Sequence, residues 1–264
     1  MDERRIKVAV SGAGGRMGRE VVNAVLEAHD EFTLVGAADP AFAGNTVSEV
    51  LGLDCPVIIE KSIDKVMSSV SADAVVVFSI PSVAMDDIRC IMSAKAVPVV
   101  GTTGISQKNL EEIRALSSRY RVGAIIAPNF AIGAVLMMKM AAEVGKYMPA
   151  VEIIELHHDK KLDAPSGTSI KTAELIAENR VDKHEAAGDP TAPARGSDFH
   201  GIRIHSVRLP GLIAHQEVIF GGLGQTLTIR HDSYDRKSFM PGVLLALRKA
   251  IGLKNVVYGL ENLL

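Results

Sequence analysis

The sequence predicts an α/β protein, with an N-terminal doubly wound parallel sheet and a smaller α+β domain built on a mixed or antiparallel sheet. Three observations carry this. An apolar strand, Ile6, Val8 and Val10, runs into Gly12-Ala13-Gly14-Gly15-Arg16-Met17-Gly18 and then into a helical pattern with Val21, Val22, Val25 and Leu26. Apolar runs without alternation, such as residues 74–78, recur between helical stretches, as in a parallel sheet covered on both faces. Beyond residue 200 the rhythm changes to three strand-like runs with no helix between them.

Composition excludes several classes of function. A chain of 264 residues can build two modest cores, and a net charge of −2 leaves no basic field to hold nucleic acid or an anionic membrane. No apolar run reaches the length of a membrane span, and the short charged start, residues 1–7, has no signal-like apolar segment, so a cytosolic location is expected. Cys55 and Cys90 are too few for a disulfide framework and read as packing residues.

The first strand, the glycine turn and the helix after it form the opening of a Rossmann-like dinucleotide unit. Glycines there allow a tight turn, a close approach to pyrophosphate and close helix–strand packing. The context supports this reading, because residues 33–38 form a second strand and Asp39 stands at its end, about twenty residues beyond the glycines, where an acid can accept hydrogen bonds from ribose. Asp39 followed by Pro40 favours NADH, while Arg16 keeps NADPH open as the cofactor. Further strands at residues 57–59, 74–78, 97–100 and 123–127 alternate with helices near 63–67, 81–94 and 107–118. Ligands collect beyond the carboxyl ends of such strands, which places Phe78 and Ser79, the Gly101-Thr102-Thr103-Gly104 turn, and Ala127-Pro128-Asn129-Phe130 at the cofactor edge. Gly101 to Gly104 fit either a simple turn or a bare backbone surface for the nicotinamide, and Asn129 fits a turn as well as it fits a ligand contact.

The most unusual stretch is Glu155-Leu156-His157-His158-Asp159-Lys160-Lys161-Leu162-Asp163-Ala164-Pro165-Ser166-Gly167-Thr168, between a strand containing Val151, Ile153 and Ile154 and a helix over residues 169–180. The first N–H groups of a helix lack internal partners, so the start at Ser166, Gly167 and Thr168 suits a carboxylate or phosphate, although Ser166 and Gly167 also fit a plain helix cap. Histidine can pass a proton near neutral pH, and a lysine can hold a second negative group. His157, His158, Lys160 and Lys161 beside the helix start thus suit a small polyanionic substrate that is protonated in the reaction. A metal is not expected, because adjacent histidines on a strand point to opposite faces.

Residues 133–148 read as an apolar helix whose Val135, Leu136, Met137, Met138 and Met140 serve core or subunit packing. Residues 181–197, with Gly188, Pro190, Pro193 and Gly196, read as a polar connection and mobile flap. Strands follow at residues 202–207, 215–220 and 225–229, and a helix at 238–251 is expected to return to the first domain. Arg203, His205, Arg208 and His215 read as mostly solvated. The expected boundaries are residues 1–128 with 237–264 for the dinucleotide-binding domain and 129–236 for a substrate-binding and oligomerisation domain.

With these motifs in order and spacing, the whole chain resembles the 4-hydroxy-tetrahydrodipicolinate reductase (dihydrodipicolinate reductase) family of the bacterial and plant lysine pathway. The resemblance implies an oxidoreductase in which NADH or NADPH reduces 4-hydroxy-tetrahydrodipicolinate, a small cyclic dicarboxylate, to tetrahydrodipicolinate with loss of water. It implies His157 as proton donor, Lys161 as the cation stabilising the reacting ring, Ser166, Gly167 and Thr168 as the carboxylate grip, and His158 as a pocket residue. It also implies a homotetramer joined through the second sheet, two domains that close over ligands, no metal, and a cytoplasmic or plastid-stromal location. Many relatives carry an arginine after the ribose-binding acid; Pro40 departs from this and shifts the expectation toward NADH or dual use. Two other readings remain. One is another amino-acid-pathway dehydrogenase, such as one acting on diaminopimelate or a semialdehyde; a thioester-forming semialdehyde dehydrogenase would need a cysteine at a strand end near the nicotinamide, and neither Cys55 nor Cys90 is so placed. The other, a dinucleotide sensor, would have no use for His157, Lys161 and the Ser166 helix start together.

Overall fold

The computed structural model describes residues 5–181 and 193–264. Residues 182–192, which carry most of the expected flap, lie outside the described residues.

The chain opens with β1 (Ile6–Ser11), α1 (Arg16–Glu27) and β2 (Phe32–Ala38). Gly18, Val21, Val22 and Val25 recur at helical spacing and form the buried face of α1. A short helix, α2 (Val47–Leu51), was not foreseen; it is held by a reciprocal cap between Thr46 and Glu49 and ends at Gly52 in the left-handed region, φ 70°. β3 (Ile59–Glu60) starts later than expected, because Val57 accepts from the Val47 N–H at 2.8 Å and Ile58 bridges Thr46, which draws both residues away from the sheet.

α3 (Ile63–Ser69), β4 (Ala74–Val77), α4 (Pro81–Ser93), β5 (Val97–Val100), α5 (Gln107–Tyr120) and β6 (Ala124–Ile126) continue the alternation. Every residue of β4 and β5 is buried, which is why these strands show no polar alternation. Pro81 opens α4 where a missing N–H costs nothing, and a Ser106–Asn109 cap opens α5.

The middle of the chain supplies α6 (Ile132–Gly145), β7 (Ala150–His157), α7 (Gly167–Asn179), β8 (Ser197–Phe199), β9 (Ile202–Arg208), β10 (Ala214–Gly222) and β11 (Gln225–Ser233). β7 runs through His157, further than the apolar residues alone predict, and its strict alternation puts Val151, Ile153, Glu155 and His157 on one face. The chain closes with α8 (Met240–Ala250) and β12 (Val256–Tyr258). Pro241 stands in the first turn of α8, and Ile251, the last residue of the expected helix, lies past its end and is exposed.

Two compact units result. One holds the described residues up to Phe130 together with Phe239–Leu264; the other holds those of Ala131–Ser238. The first is built on a seven-stranded sheet in the order β12-β6-β5-β4-β1-β2-β3, with every pairing parallel. The order reverses between β1 and β4, the switch point where such sheets bind ligands. β12, absent from the sequence reading, extends this sheet beside β6. The second unit carries a mixed sheet, β11-β10-β7-β9-β8, in which only β7 and β9 pair in parallel. Helices α6 and α7 cover one of its faces, with Met137, Met138, Ala173 and Ile176 buried. Leu136 and Met140 of α6 remain exposed.

Within the first unit, α8 packs against α1, and Arg248 makes a two-pronged bond to Glu31 at 2.6 and 2.7 Å. Gly242 permits the close fit of α8, since a Cβ there would lie 2.0 Å from the Phe130 carbonyl oxygen. Glycine to alanine inside a helix ordinarily adds about 0.5–1 kcal/mol of stability; Gly242→Ala is expected to lose about 1–3 kcal/mol instead. Urea denaturation would check this, and a gain in stability would refute the packing argument.

Candidate functional site

In the first unit, the turn after β1 is held from within. The N–H groups of Gly12 and Ala13 both donate to the Ala38 carbonyl, at 2.9 and 3.1 Å, that of Gly15 to the Gly12 carbonyl at 3.0 Å, and that of Gly14 to Asp39 Oδ2 at 3.0 Å. A Cβ on Gly18 would fall 1.9 Å from the Gly12 oxygen, so α1 rests directly on the turn. The amides of Gly12 to Gly15 are therefore committed. What is left for an anion is the first turn of α1, where Arg16, Met17 and Gly18 have no helical acceptor. Gly15 is its N-cap and supplies no side-chain cap.

Asp39 accepts from the backbone on both oxygens, Oδ1 from the Ala41 N–H at 3.0 Å as well as Oδ2 from Gly14. Phe42 lies against Gly14, with the Arg19 guanidinium 5.3 Å above its ring and Arg19 Nε bonded to the Gly14 carbonyl at 2.8 Å. Arg16 is exposed at the start of the helix.

The ends of β4 and β5 are joined by side chains. Ser79 Oγ and Ser11 Oγ each donate to Asp87 Oδ2 at 2.7 Å, which ties β1 to β4 at the switch point. Burial pushes the Asp87 carboxyl up, while the two serine hydroxyls pull it down. Sequence reading missed Asp87, although it breaks the otherwise apolar buried row Ala84, Ile88 and Ile91 of α4. Thr102 is buried and donates to the Ser79 carbonyl at 2.8 Å, while Thr103 is exposed. A Cβ on Gly101 would meet the Phe78 ring at 2.2 Å, so Phe78 fills the space read above as a bare surface for nicotinamide. Phe78 also packs on Phe130, centroids 5.9 Å apart; Ala127 and Phe130 are buried, Pro128 is exposed and Asn129 is partly buried.

In the second unit the polar stretch is organised by Glu155. Its side chain is fully buried on the covered face of the mixed sheet. His157 Nδ1 bonds to Oε2, Arg208 Nη1 donates to Oε2 at 2.9 Å and Nη2 to Oε1 at 2.7 Å, and the Ser166 N–H reaches Oε1 at 3.3 Å. Burial by itself raises the Glu155 carboxyl, but hydrogen bonds from His157, Arg208 and Ser206 outweigh it and bring it down to about 2. Arg208 Nη2 also donates to the Asp163 carbonyl at 2.7 Å.

Of the strand residues expected to be solvated, Arg208 is 19% and His215 7% exposed. His215 bonds to Asp232 at 2.7 Å, and His205 to Glu152 at 2.8 Å. Their partners lie on neighbouring strands, beyond the reach of local pattern.

Lys161 grips Asp163 with 2.8 and 2.7 Å contacts, and that hydrogen bond is the main cause that holds the Asp163 carboxyl below its ordinary range. Lys160 is exposed. His158 Nδ1 is buried without a hydrogen-bond partner. Ser166 is the N-cap of α7: its hydroxyl accepts from the Ser169 N–H at 3.2 Å and it is buried. Its capping role is filled inside the protein, and the first turn of α7 begins at Gly167. Gly167 is exposed, and a Cβ added to it would meet nothing within 4 Å, so nothing in this fold requires glycine there. Among the described residues, no group of three or more His, Cys, Asp or Glu side chains could hold a metal.

Comparison with known proteins agrees across the whole chain. Family models described as "Dihydrodipicolinate reductase, N-terminus" and "Dihydrodipicolinate reductase, C-terminus" match residues 6–130 and 133–264. The 4-hydroxy-tetrahydrodipicolinate reductase of Desulfitobacterium hafniense is 52% identical over 267 residues, covering 99% of each chain. That of Listeria welshimeri is 51% identical over 265 residues, 98% of this chain and all of its own. A solved structure, dipicolinate-bound dihydrodipicolinate reductase from Paenisporosarcina sp. TG-14, superposes with a TM-score of 0.85 at 42% identity over 99% of this chain. An amine dehydrogenase from Mycobacterium smegmatis, 13% identical with a TM-score of 0.70, shares the fold alone. With both halves matched and full-length relatives at this level of identity, the chain belongs to the dihydrodipicolinate reductase family.

Proposed function

We propose that this chain reduces 4-hydroxy-tetrahydrodipicolinate to tetrahydrodipicolinate with loss of water, at the expense of NADH or NADPH, as a step toward diaminopimelate and lysine. The observation that carries the reading is the segment from β7 to α7, where a histidine held by a buried carboxylate precedes a helix start with an open glycine. Family membership and a relative solved with dipicolinate support a small cyclic dicarboxylate as substrate.

The first unit suits a nicotinamide dinucleotide. The uncapped start of α1 offers the Arg16 and Met17 amides to a pyrophosphate, with Gly12 to Gly15 and Gly18 shaping the turn beneath it. Asp39, already fixed by two backbone donors, keeps lone pairs for ribose hydroxyls. Phe78, Ser79, Gly101, Thr102, Thr103 and Ala127 to Phe130 complete the binding edge. Gly101, covered by the Phe78 ring, and Thr102, Ala127 and Phe130 serve it from below as packing residues. When bound, the reduced cofactor supplies hydride.

The substrate role falls to the second unit. The first-turn amides of α7 bind one carboxylate, with Ser166 shaping that turn. Lys161, pre-positioned by Asp163, holds the ring's developing charge or a second carboxylate, His158 lines the site, and the His157 ring gives the proton. One hydride and one proton enter as one water leaves. Pro40 provides no cation beside Asp39, which favours NADH; Arg16 and Arg19 keep NADPH use open.

Assembly as a homotetramer through the mixed sheet is the accompanying reading. Ile154, Leu156, Val207 and Ile219 lie on the sheet face opposite the helices and are only partly buried. Among the described residues no helix is long and apolar enough to cross a membrane. A biosynthetic role shared with bacterial relatives supports a cytoplasmic location.

The direct test is oxidation of NADH and of NADPH, followed by absorbance with freshly made 4-hydroxy-tetrahydrodipicolinate. Saturable oxidation is expected, faster with NADH or similar with both; no oxidation by protein that binds the cofactor would sink the reading. His157→Gln should lower kcat by roughly 10²–10⁴ with little change in dinucleotide affinity, and turnover at the wild-type level would remove His157 from the reaction. For Gly167→Ala the backbone donor stays but the added methyl stands where the carboxylate approaches it, and the expected result is about 10-fold or more in substrate KM, the worth of one charge-assisted hydrogen bond weakened by displacement. Stability in the same variant should hold or rise, because the added methyl meets no protein atom; an unchanged KM would move the carboxylate elsewhere.

A further inference from the structure

We propose that Glu155 is the positioning residue of the proton donor and that Arg208 is the clamp that fixes Glu155 in turn, so that His157 is held with Nδ1–H inward and Nε2 as its working nitrogen. The proposal rests on His157 being the proton donor of the reading above.

The geometry comes from register. Glu155 and His157 stand two residues apart on one face of β7, and the parallel pairing with β9 sets Arg208 opposite His157. The guanidinium meets the carboxylate with both prongs, at 2.9 and 2.7 Å, and a carboxylate gripped at both oxygens cannot rotate away from the imidazole. A carboxylate held ionised can only accept, so the proton of this contact sits on Nδ1 of the histidine. In neutral His157 that leaves Nε2 as an acceptor; in the protonated ring Nε2–H is the donor, with the positive charge stabilised by Glu155.

The same guanidinium reaches the Asp163 carbonyl, and the Asp163 side chain holds Lys161. One arginine therefore supports both polar groups assigned to the reaction. A buried ion pair contributes little net stability beside an apolar pair of equal size. A wholly buried glutamate bonded to a histidine is more economically explained by its effect on that histidine. The charged or titratable groups around this network are Glu155 on β7, Arg208 on β9, and His158, Lys161 and Asp163 in the segment that follows. The residue of β10 paired with His157 is Ala214, and α7 contributes Ser166, both uncharged.

Two measurements on the full-length protein decide the matter. In the first, ¹⁵N-imidazole NMR of the wild type, with the His157 signal identified by its loss in His157→Gln, is expected to show the neutral ring protonated at Nδ1. Protonation at Nε2 would overturn the proposal, and this readout depends on neither turnover nor a folded Glu155 variant.

The second compares pH profiles of kcat/KM for the wild type, E155Q and E155D. Losing the carboxylate's charge disfavours the protonated ring, so the donor form disappears at lower pH. The expected result for E155Q is a kcat lower by about 10–100-fold, with the NADH KM within about twofold of wild type and the alkaline limb moved by about one unit or more to lower pH. E155D is expected to recover part of the loss. A fall in kcat with an unmoved limb would mark Glu155 as structural and overturn the proposal. Failure of the wild type itself to reduce the substrate would count against the functional reading, while the tautomer result would stand on its own.

Discussion

A carboxylate with no exposure to water must be surrounded by donors, and Glu155 imposes that requirement on everything near it. Its four contacts come from its own strand, from β9, and from the cap of α7, so the sheet register and the entry of α7 are both set around it. The carboxyl lies at about 2 against an ordinary 4.5, a depression worth roughly 3 kcal/mol at neutral pH. Because the folded value is the lower one, this stability is present above about 4.5 and is lost as pH falls toward 2. The same contacts orient a histidine, connect to the Lys161 segment and tie the amide of a helix cap to the sheet. The acid sensitivity of the second unit and the placing of its polar side chains thus both run through one ion pair.

The first unit solves a different problem with one carboxyl group and two hydroxyls. Its sheet reverses direction between β1 and β4, which opens a crevice at their carboxyl ends, and the two strand ends must be held in fixed relation for that crevice to have a shape. Asp87 does this by accepting from Ser11 and Ser79 at once. Above it the turn is locked by its own amides and by the contact of Gly18 with Gly12. A helix start without a side-chain cap is left at the surface, at Gly15 and Arg16. Phe78, folded into the gap at Gly101, closes the crevice from the β5 side.

Much of this was legible in the residues alone, wherever the determining interaction is local. The glycine turn, the unalternating strands β4 and β5 and the serine cap of α7 are governed by neighbours a few positions apart. The cluster at residues 155–168 stood out because so many ionisable side chains precede a helix start. Other elements were not legible. β12 is three residues long and is a strand only because β6 offers it an edge. Asp87 interrupts an apolar row for reasons found on two other strands.

Arg208 shows the division most clearly. It is separated from Glu155 by 53 residues, and by local pattern it is one more charged side chain at a strand end. Sequence by itself determined the two-part α/β architecture, the dinucleotide turn and the identity of the polar cluster, because periodicity and turn chemistry are properties of short segments. Only the tertiary structure decided which charges meet, because pairing depends on the strand register of the mixed sheet and on which face each residue occupies, and a shift of one residue would have turned Glu155 and His157 together away from Arg208.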